Sequence, residues 1–230
     1  MPGLPSATSE HAARLLHLPA AVANAAASIF SLENLLQRVT GIVCEELSLP
    51  FAGVFLIDET GQWAVLSAAH GEIGERMVRE GFKLSVGGNT MVGMATRLRQ
   101  PRIITDIDED ADFLRNPHLH LPNVHSEVAL PLIAYDEMLG ALSVQSDNSS
   151  HVFTQEDIDT LQGIAADLAV AVRNAGLYRQ NQDLLRRSER RARLFEAAGI
   201  VECVRRALTN GLDADAADNA LRAAGRLVDD

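Results

Sequence analysis

The spacing of apolar positions predicts helices at both ends of the chain and strands in its middle. From residue 15 to residue 49 apolar residues recur every three or four positions, the spacing of a helix that buries one face. A fresh helix start at Ser31 divides this region into two helices. After Pro50 the pattern changes to short apolar runs between polar turns, which is typical of strands. The strand-like runs are 51–57, 63–69, 82–86 and 102–107, with a short helix predicted at 91–98.

A hairpin and the start of a long helix follow. From Val128 to Val144 two apolar runs flank a short polar turn at residues 135–137, which is the sequence form of a β-hairpin. Thr154 then occupies the N-cap position of a helix, and Asp157 occupies the capping-box position. We therefore predict a well-defined helix start directly after the hairpin.

This last helix is too long for a small domain to bury. It extends to about residue 195, which is roughly 60 Å at 1.5 Å per residue. We expect a second chain to cover it, so the sequence predicts a parallel homodimer joined by a weak coiled coil. The residues predicted to form the dimer contacts are Leu161, Leu168, Ala175, Tyr178 and Leu184.

Several sequence blocks, taken in this order, resemble the GAF domain family over residues 30–178. They are 51–69, 88–93 (GNTMVG), 100–107 (QPRIITDI), 126–132 (SEVALPL), 139–146 (LGALSVQS) and 153–157 (FTQED). The resemblance implies an α+β fold, a six-stranded antiparallel sheet flanked by helices with long N- and C-terminal helical extensions. It also implies that both terminal helices pack on one face, and that a small-molecule pocket lies on the other, under residues 86–126.

The same resemblance divides the chain into three parts. Residues 1–29 are expected to be a disordered start and an N-terminal helix, and residues 30–178 the GAF domain. Residues 179–230 are expected to be a C-terminal linker or signalling helix with a helical tail. Within it, residues 191–201 resemble the linker helix that precedes the next module in tandem bacterial sensors.

Two groups of residues are candidates for ligand contacts. Asn89 and Thr90 precede the short helix, where free backbone N–H groups could hold an anion, although a simple N-cap is the commoner use of such residues. The loop at 117–125 contributes His118, His120 and His125, which are weak candidates for a metal or haem site. Glu127 follows as a further candidate, and its position also suits the beginning of a strand.

The resemblance also disfavours some ligands and activities. The chain lacks the Asn-Lys signature of relatives that bind cyclic nucleotides, and the long loop lacks the cysteine that attaches a linear tetrapyrrole. Residues 51–150 contain no thiol, so the methionine sulfoxide reduction of a few relatives is not expected. No catalytic motif is recognised, and we predict that the chain is not an enzyme. The cofactor stays open.

Composition narrows the partners. The formal net charge of −11 argues against a nucleic-acid or membrane-surface binder. The two cysteines, Cys44 and Cys203, have neither a disulfide-framework nor a zinc-site spacing, which fits a cytoplasmic protein. We recognise no signal peptide and no membrane span.

The expected function is signal reception. A small molecule or a partner would alter the pocket face, and the terminal helices would pass the change to a downstream signalling module. Two alternatives stay open: a structural GAF domain that dimerises without a ligand, and a metal- or haem-binding redox sensor that uses the histidine loop.

Overall fold

The computed structural model describes residues 14–23, 31–105, 124–147, 153–209 and 213–229. The helices are α1 (14–23), α2 (Leu32–Leu47), α3 (Gly71–Arg79), α4 (Met91–Leu98), α5 (Gln155–Thr209) and α6 (Ala214–Asp229). The strands are β1 (Phe51–Ile57), β2 (Trp63–Ala69), β3 (Lys83–Ser85), β4 (Arg102–Ile104), β5 (Ser126–Ala134) and β6 (Glu137–Ser146). The chain divides into two compact units, Met1–Asn174 and Ala175–Asp230.

The first unit is built on a six-stranded sheet with the order β3-β2-β1-β6-β5-β4. Every neighbouring pair is antiparallel, so the predicted fold class is confirmed. The β5–β6 turn has positive φ at both Tyr135 (50°) and Asp136 (63°). This is the geometry of a two-residue type I′ turn, which matches the twist of the two strands that it joins.

One face of the sheet carries the larger core, beneath α1, α2 and the start of α5. Alternate residues of β5 and β6, such as Leu130 and Leu142, are fully buried there, as the two-residue period of a strand requires. Leu161 and Leu168 of α5 belong to the same core and are 0% and 2% exposed. Their side chains are therefore buried inside the domain and are not available for contacts with a second chain.

The predicted start of α5 is confirmed. Asp157 N donates to Thr154 Oγ1 at 3.2 Å, and Thr154 N donates to Asp157 Oδ2 at 2.7 Å. These two reciprocal bonds satisfy backbone donors that the first helical turn leaves free.

The other face of the sheet is covered in part by α3 and α4. The sequence pattern does not predict α3, because Gly71 and Gly74 weaken the helical signal. Gly74 is nevertheless required by packing, since a Cβ at this position would lie 2.7 Å from the Ala69 Cβ of β2. Gly74 therefore weakens the helical signal in the sequence, and the same residue allows α3 to pack closely against the sheet.

The second unit contains the rest of α5 and α6. Among the residues of this unit whose burial is described, the buried apolar ones are Ala197 and Val204 on α5 and Ala217 and Ala224 on α6, seven positions apart on each helix. That spacing places each pair on one helix face. The predicted domain boundaries after residues 29 and 178 stay predictions.

Candidate functional site

Two rows of side chains on the α4 side of the sheet define the candidate site. Ile104, Glu127, Gln145 and Phe51 oppose one another across β4, β5, β6 and β1. The next row is Arg102, Ala129, Ser143 and Gly53. Because side chains alternate along each strand, both rows point to the same face of the sheet. We call the four polar members, Arg102, Glu127, Ser143 and Gln145, the Glu127 cluster.

Apolar residues surround this cluster. Met91 and Ala95 of α4 pack with Ile104 and Ala129 on one side. A second apolar group, which includes Phe51, lies on the other side. The polar residues thus occupy a strip between two apolar groups, in a place where a purely structural sheet would be apolar throughout.

Glu127 is the most unusual residue of the cluster, because it is a carboxyl group with only 3% of its surface exposed. Ser143 Oγ donates a hydrogen bond to Glu127 Oε1 at 2.9 Å. No Lys, Arg or His of the described residues forms an ion pair with Glu127. Burial raises the pKa of Glu127 to about 7, although hydrogen bonds from Ser143 and Gln145 lower it in part. The carboxyl group therefore changes charge close to neutral pH.

Among the described residues, two polar atoms on the same face of the sheet as Glu127 have no hydrogen-bond partner; Ser126 Oγ is also unpaired, on the neighbouring residue of β5. Gln145 is 2% exposed, and its Oε1 is buried and unpaired. The Nε of Arg102 is also buried and unpaired. Unpaired buried polar atoms are rare in folded proteins, and each one calls for a partner such as a water molecule, an ion or a ligand.

Most of this cluster is missed by sequence reasoning, which selects Glu127 alone. A signal does exist in β6, where Ala141, Ser143 and Gln145 alternate with Leu142 and Val144. That alternation usually indicates one solvent-exposed face. Here both faces are buried, which depends on α4 and not on the strand itself.

The ionisation of Glu127 predicts an unusual effect of pH on stability. Its pKa is about 7 in the folded protein against a reference value of 4.5, so the folded state binds the proton more tightly. The carboxyl contribution is therefore fully present below pH 4.5 and is lost as the pH rises to about 7, at a cost of up to about 3 kcal/mol. The Glu127→Gln variant cannot ionise and keeps an oxygen for Ser143. We expect its stability to be closest to that of the wild type at pH 5, and its advantage over the wild type to grow as the pH rises to 8.

Thermal unfolding of both proteins from pH 5 to pH 8 measures this difference. Glu59→Gln, in the exposed β1–β2 turn, is the matched control and should follow the wild type at every pH. A constant difference between Glu127→Gln and the wild type over the whole range would contradict the prediction.

The structure gives Thr90 a capping role. Thr90 is buried, and its Oγ1 accepts a hydrogen bond from Gly93 N at 3.0 Å at the start of α4. Asn89 is exposed and precedes this cap. These two residues lie outside the Glu127 cluster.

The histidine candidates are only partly placed. His118 and His120 lie outside the described residues. His125 is half-buried, and its backbone N donates to Ser146 O at 2.9 Å at the end of β6. Within the described residues no group of three or more His, Cys, Asp or Glu side chains is arranged to hold a metal ion. The metal or haem role therefore stays a hypothesis about the loop.

The two cysteines differ in burial, and Cys44 is not part of the Glu127 cluster. Cys44 is buried in the core between α2 and the sheet, where burial and the nearby Glu45 raise the pKa of its thiol to about 12. Cys203 is exposed on α5 in the second unit. Cys44 therefore does not lie on the face of the sheet that carries Glu127.

Two cavities among the described residues lie elsewhere. One of about 380 Å³ is lined by α1, α2 and α5, including Val22, Leu35 and Leu168. Another of about 240 Å³ lies between β5 and α5, beside Pro131 and Gln162. Both are largely apolar and hold no unpaired buried group. We place more weight on the Glu127 cluster, because it carries the polar groups that recognition needs.

The remaining residues of the predicted dimer helix lie in the second unit. Tyr178 and Leu184 are exposed, and Ala175 is half-buried. Leu177 and Leu185 are exposed apolar neighbours of this pair. In the part of the chain that the structure describes, no helix is long and apolar enough to cross a membrane.

Comparison with known proteins identifies the fold. The GAF domain of a phosphoenolpyruvate-protein phosphotransferase from Coxiella burnetii superimposes with a TM-score of 0.66 at 23% identity, over 73% of this chain and 97% of that one. A free methionine-R-sulfoxide reductase from Neisseria meningitidis, solved with its substrate, gives 0.59 at 21%, over 76% and 99%. At these identities the similarity concerns the fold alone.

A similarity in sequence extends to a signalling protein. Hybrid signal transduction histidine kinase G of Dictyostelium discoideum is 25% identical over 89 residues, which are 39% of this chain and 3% of that protein. The sequence profile of the GAF domain matches residues 31–173, well over half of the chain. The protein therefore belongs to the GAF domain family.

Proposed function

We propose that this GAF domain is a signal-receiving module that binds a small molecule at the Glu127 cluster and passes the change to α5. The observation that carries the proposal is a buried carboxyl group without a cationic partner among the described residues, beside two unpaired buried polar atoms. This arrangement lowers the stability of the empty domain near neutral pH. Buried ionisable groups that lower the stability of a protein are found mainly at functional sites.

Two contacts of the β5–β6 turn support a route from the site to α5. Arg99, at the end of α4, donates from Nη2 to Asp136 O at 2.8 Å. The next residue, Glu137, pairs with Arg173 of α5, with Nε and Oε2 3.0 Å apart. The turn thus contacts both the helix beside the cluster and the helix that leaves the sheet. Such exposed contacts contribute little to stability, so their proposed role is to couple the position of α4 to the position of α5.

We also propose that α5 forms a parallel homodimer next to a downstream signalling module. The exposed apolar residues Leu177 and Leu184 are seven positions apart, and so are Tyr178 and Leu185. Apolar residues at this period on an exposed helix favour pairing with an identical helix. Asn181 and Ser188 interrupt the stripe, and polar residues at such positions fix register at a cost in affinity. We name Leu177, Tyr178, Leu184 and Leu185 the α5 stripe.

A reductase function is not part of this proposal. The related reductase from Neisseria shares the fold, and thiol chemistry needs an accessible thiolate. Cys44 is buried on the helix side of the sheet with a strongly raised pKa, and Cys203 lies in the second unit.

The test is ligand binding that depends on the cluster. A metabolite library would be screened by thermal shift, and native mass spectrometry would look for a retained small molecule and report the oligomer. We expect at least one compound to raise the melting temperature of the wild type, because a ligand that binds only the folded state stabilises it. The shift should be lost in Ser143→Ala and kept in Ser67→Ala, whose hydroxyl only contacts Val65 O of its own strand.

The structural alternative would be favoured if no compound raises the melting temperature, no small molecule is retained on the protein, and the protein is a stable dimer. Absorbance in the visible range or bound metal in the same sample would instead favour the redox-sensor alternative.

A further inference from the structure

We propose that the Glu127 cluster recognises a small zwitterion, a molecule that carries both an ammonium group and a carboxylate. This inference rests on the proposed function, because it names the class of ligand that the same site would take.

The geometry keeps two opposite charges apart on the same face of the sheet. Arg102 lies on β4 and Glu127 on β5, one row apart, a diagonal relation within reach of long side chains. They nevertheless form no ion pair with each other. Glu127 is held toward β6 by the hydrogen bond from Ser143, while Arg102 starts on the far side of β5, across from Ala129.

The unpaired atoms have opposite hydrogen-bonding character at the two ends of the cluster. Glu127 and the free Oε1 of Gln145 are acceptors, and together they suit an ammonium group, which has only donors to offer. The free Nε of Arg102 is a donor, and guanidinium groups favour carboxylates. A ligand with one of these charges would match one end and leave the other unpaired.

Ligand charge also explains how a buried carboxyl group could be used. Among the described residues, the charged or titratable groups near Glu127 are Arg102 of β4 and His125, two residues before it. The other elements packed against Glu127 contribute uncharged side chains, which are Ser143 and Gln145 of β6 and Met91 and Ala95 of α4. An ammonium group beside Glu127 favours its ionised form, which burial alone disfavours. Binding should therefore release a proton near neutral pH.

The test uses calorimetry with defined probes. The wild type would be titrated with the twenty free amino acids, β-alanine and γ-aminobutyrate. For each binder, the amine without the carboxylate and the acid without the ammonium would follow. We expect both single-charge analogues to bind at least tenfold more weakly. Affinity for the zwitterion should rise about tenfold from pH 6 to pH 8, because Glu127 titrates in this range.

Variants assign the two ends of the ligand. Arg102→Gln should reduce the preference for the zwitterion over the amine and leave the preference over the acid. Glu127→Gln should have the opposite effect and should abolish the pH dependence. Arg97→Gln, on the exposed side of α4, is the matched control and should behave as the wild type. Melting temperatures measured in parallel show that each variant is folded.

The outcomes separate this inference from the proposed function. A single-charge analogue that binds as tightly as its zwitterion would overturn the inference and leave the function standing. Binding of other library compounds at the cluster, with none of the zwitterions binding, would do the same. Binding of no compound of either set would overturn both.

Discussion

The Gly140→Ala variant is expected to lose at least about 3 kcal/mol of unfolding free energy, more than the usual cost of one extra methyl group in a core. Gly140 lies in the central strand β6, opposite Leu56 of β1 and Leu132 of β5. A Cβ at this position would overlap the carbonyl oxygen of Phe55. That obstacle is backbone, so relief requires β1 and β6 to separate and to weaken the hydrogen bonds between them.

Urea unfolding followed by circular dichroism measures this loss, and Gly163→Ala is the matched control. Gly163 lies within α5, and among the described residues nothing outside its own helix backbone would lie within 4 Å of a Cβ there. In a helix interior, replacement of glycine by alanine is stabilising by up to about 1 kcal/mol. The same substitution should thus have opposite signs at the two positions. A Gly140→Ala midpoint at or above that of Gly163→Ala would contradict this account.

Elements whose signals are local could be predicted from the sequence to within a residue. The first hairpin and α4 have the predicted bounds, because compact apolar runs and a threonine cap determine them. Strand β3 is shorter than predicted, at Lys83–Ser85, and strand β4 ends at Ile104. Residues 106–107 of the predicted fourth strand lie outside the described residues. Short edge strands end where their neighbour stops pairing with them, and a single sequence does not contain that information.

The candidate site could be predicted only in part, for a tertiary reason. Glu127 is a candidate from its position in the family pattern, yet its raised pKa arises from burial by other elements. Arg102, Ser143 and Gln145 look like ordinary polar residues of strands with one wet face. The α5 stripe illustrates the same limit. Heptad spacing is present on two faces of the helix, and only the fold shows that the face with Leu161 and Leu168 is already buried.

Leu168 and Leu184 are therefore expected to respond in opposite ways, although both belong to the dimer helix as predicted from sequence. Leu168 is 2% exposed in the core of the first unit, so Leu168→Ala should cost about 2–5 kcal/mol of unfolding free energy at any protein concentration. Leu184 is 56% exposed in the second unit. Leu184→Asp removes little packing within the chain, and it places a charge in the proposed interface between two copies.

Sedimentation measured over a range of concentrations distinguishes the two effects. Leu168→Ala should keep the dimer wherever it is folded, whereas Leu184→Asp should be folded and monomeric.

Spin labelling of the exposed Cys203 is a direct check on the dimer, because the other thiol, Cys44, is buried with a pKa of about 12 and should not react with the label. A nitroxide on Cys203 should give a dipolar coupling between two labels in the wild type, because a parallel dimer brings equivalent positions together. That coupling should vanish in Leu184→Asp. A wild type that sediments as a monomer at every concentration, without dipolar coupling, would refute pairing through the α5 stripe.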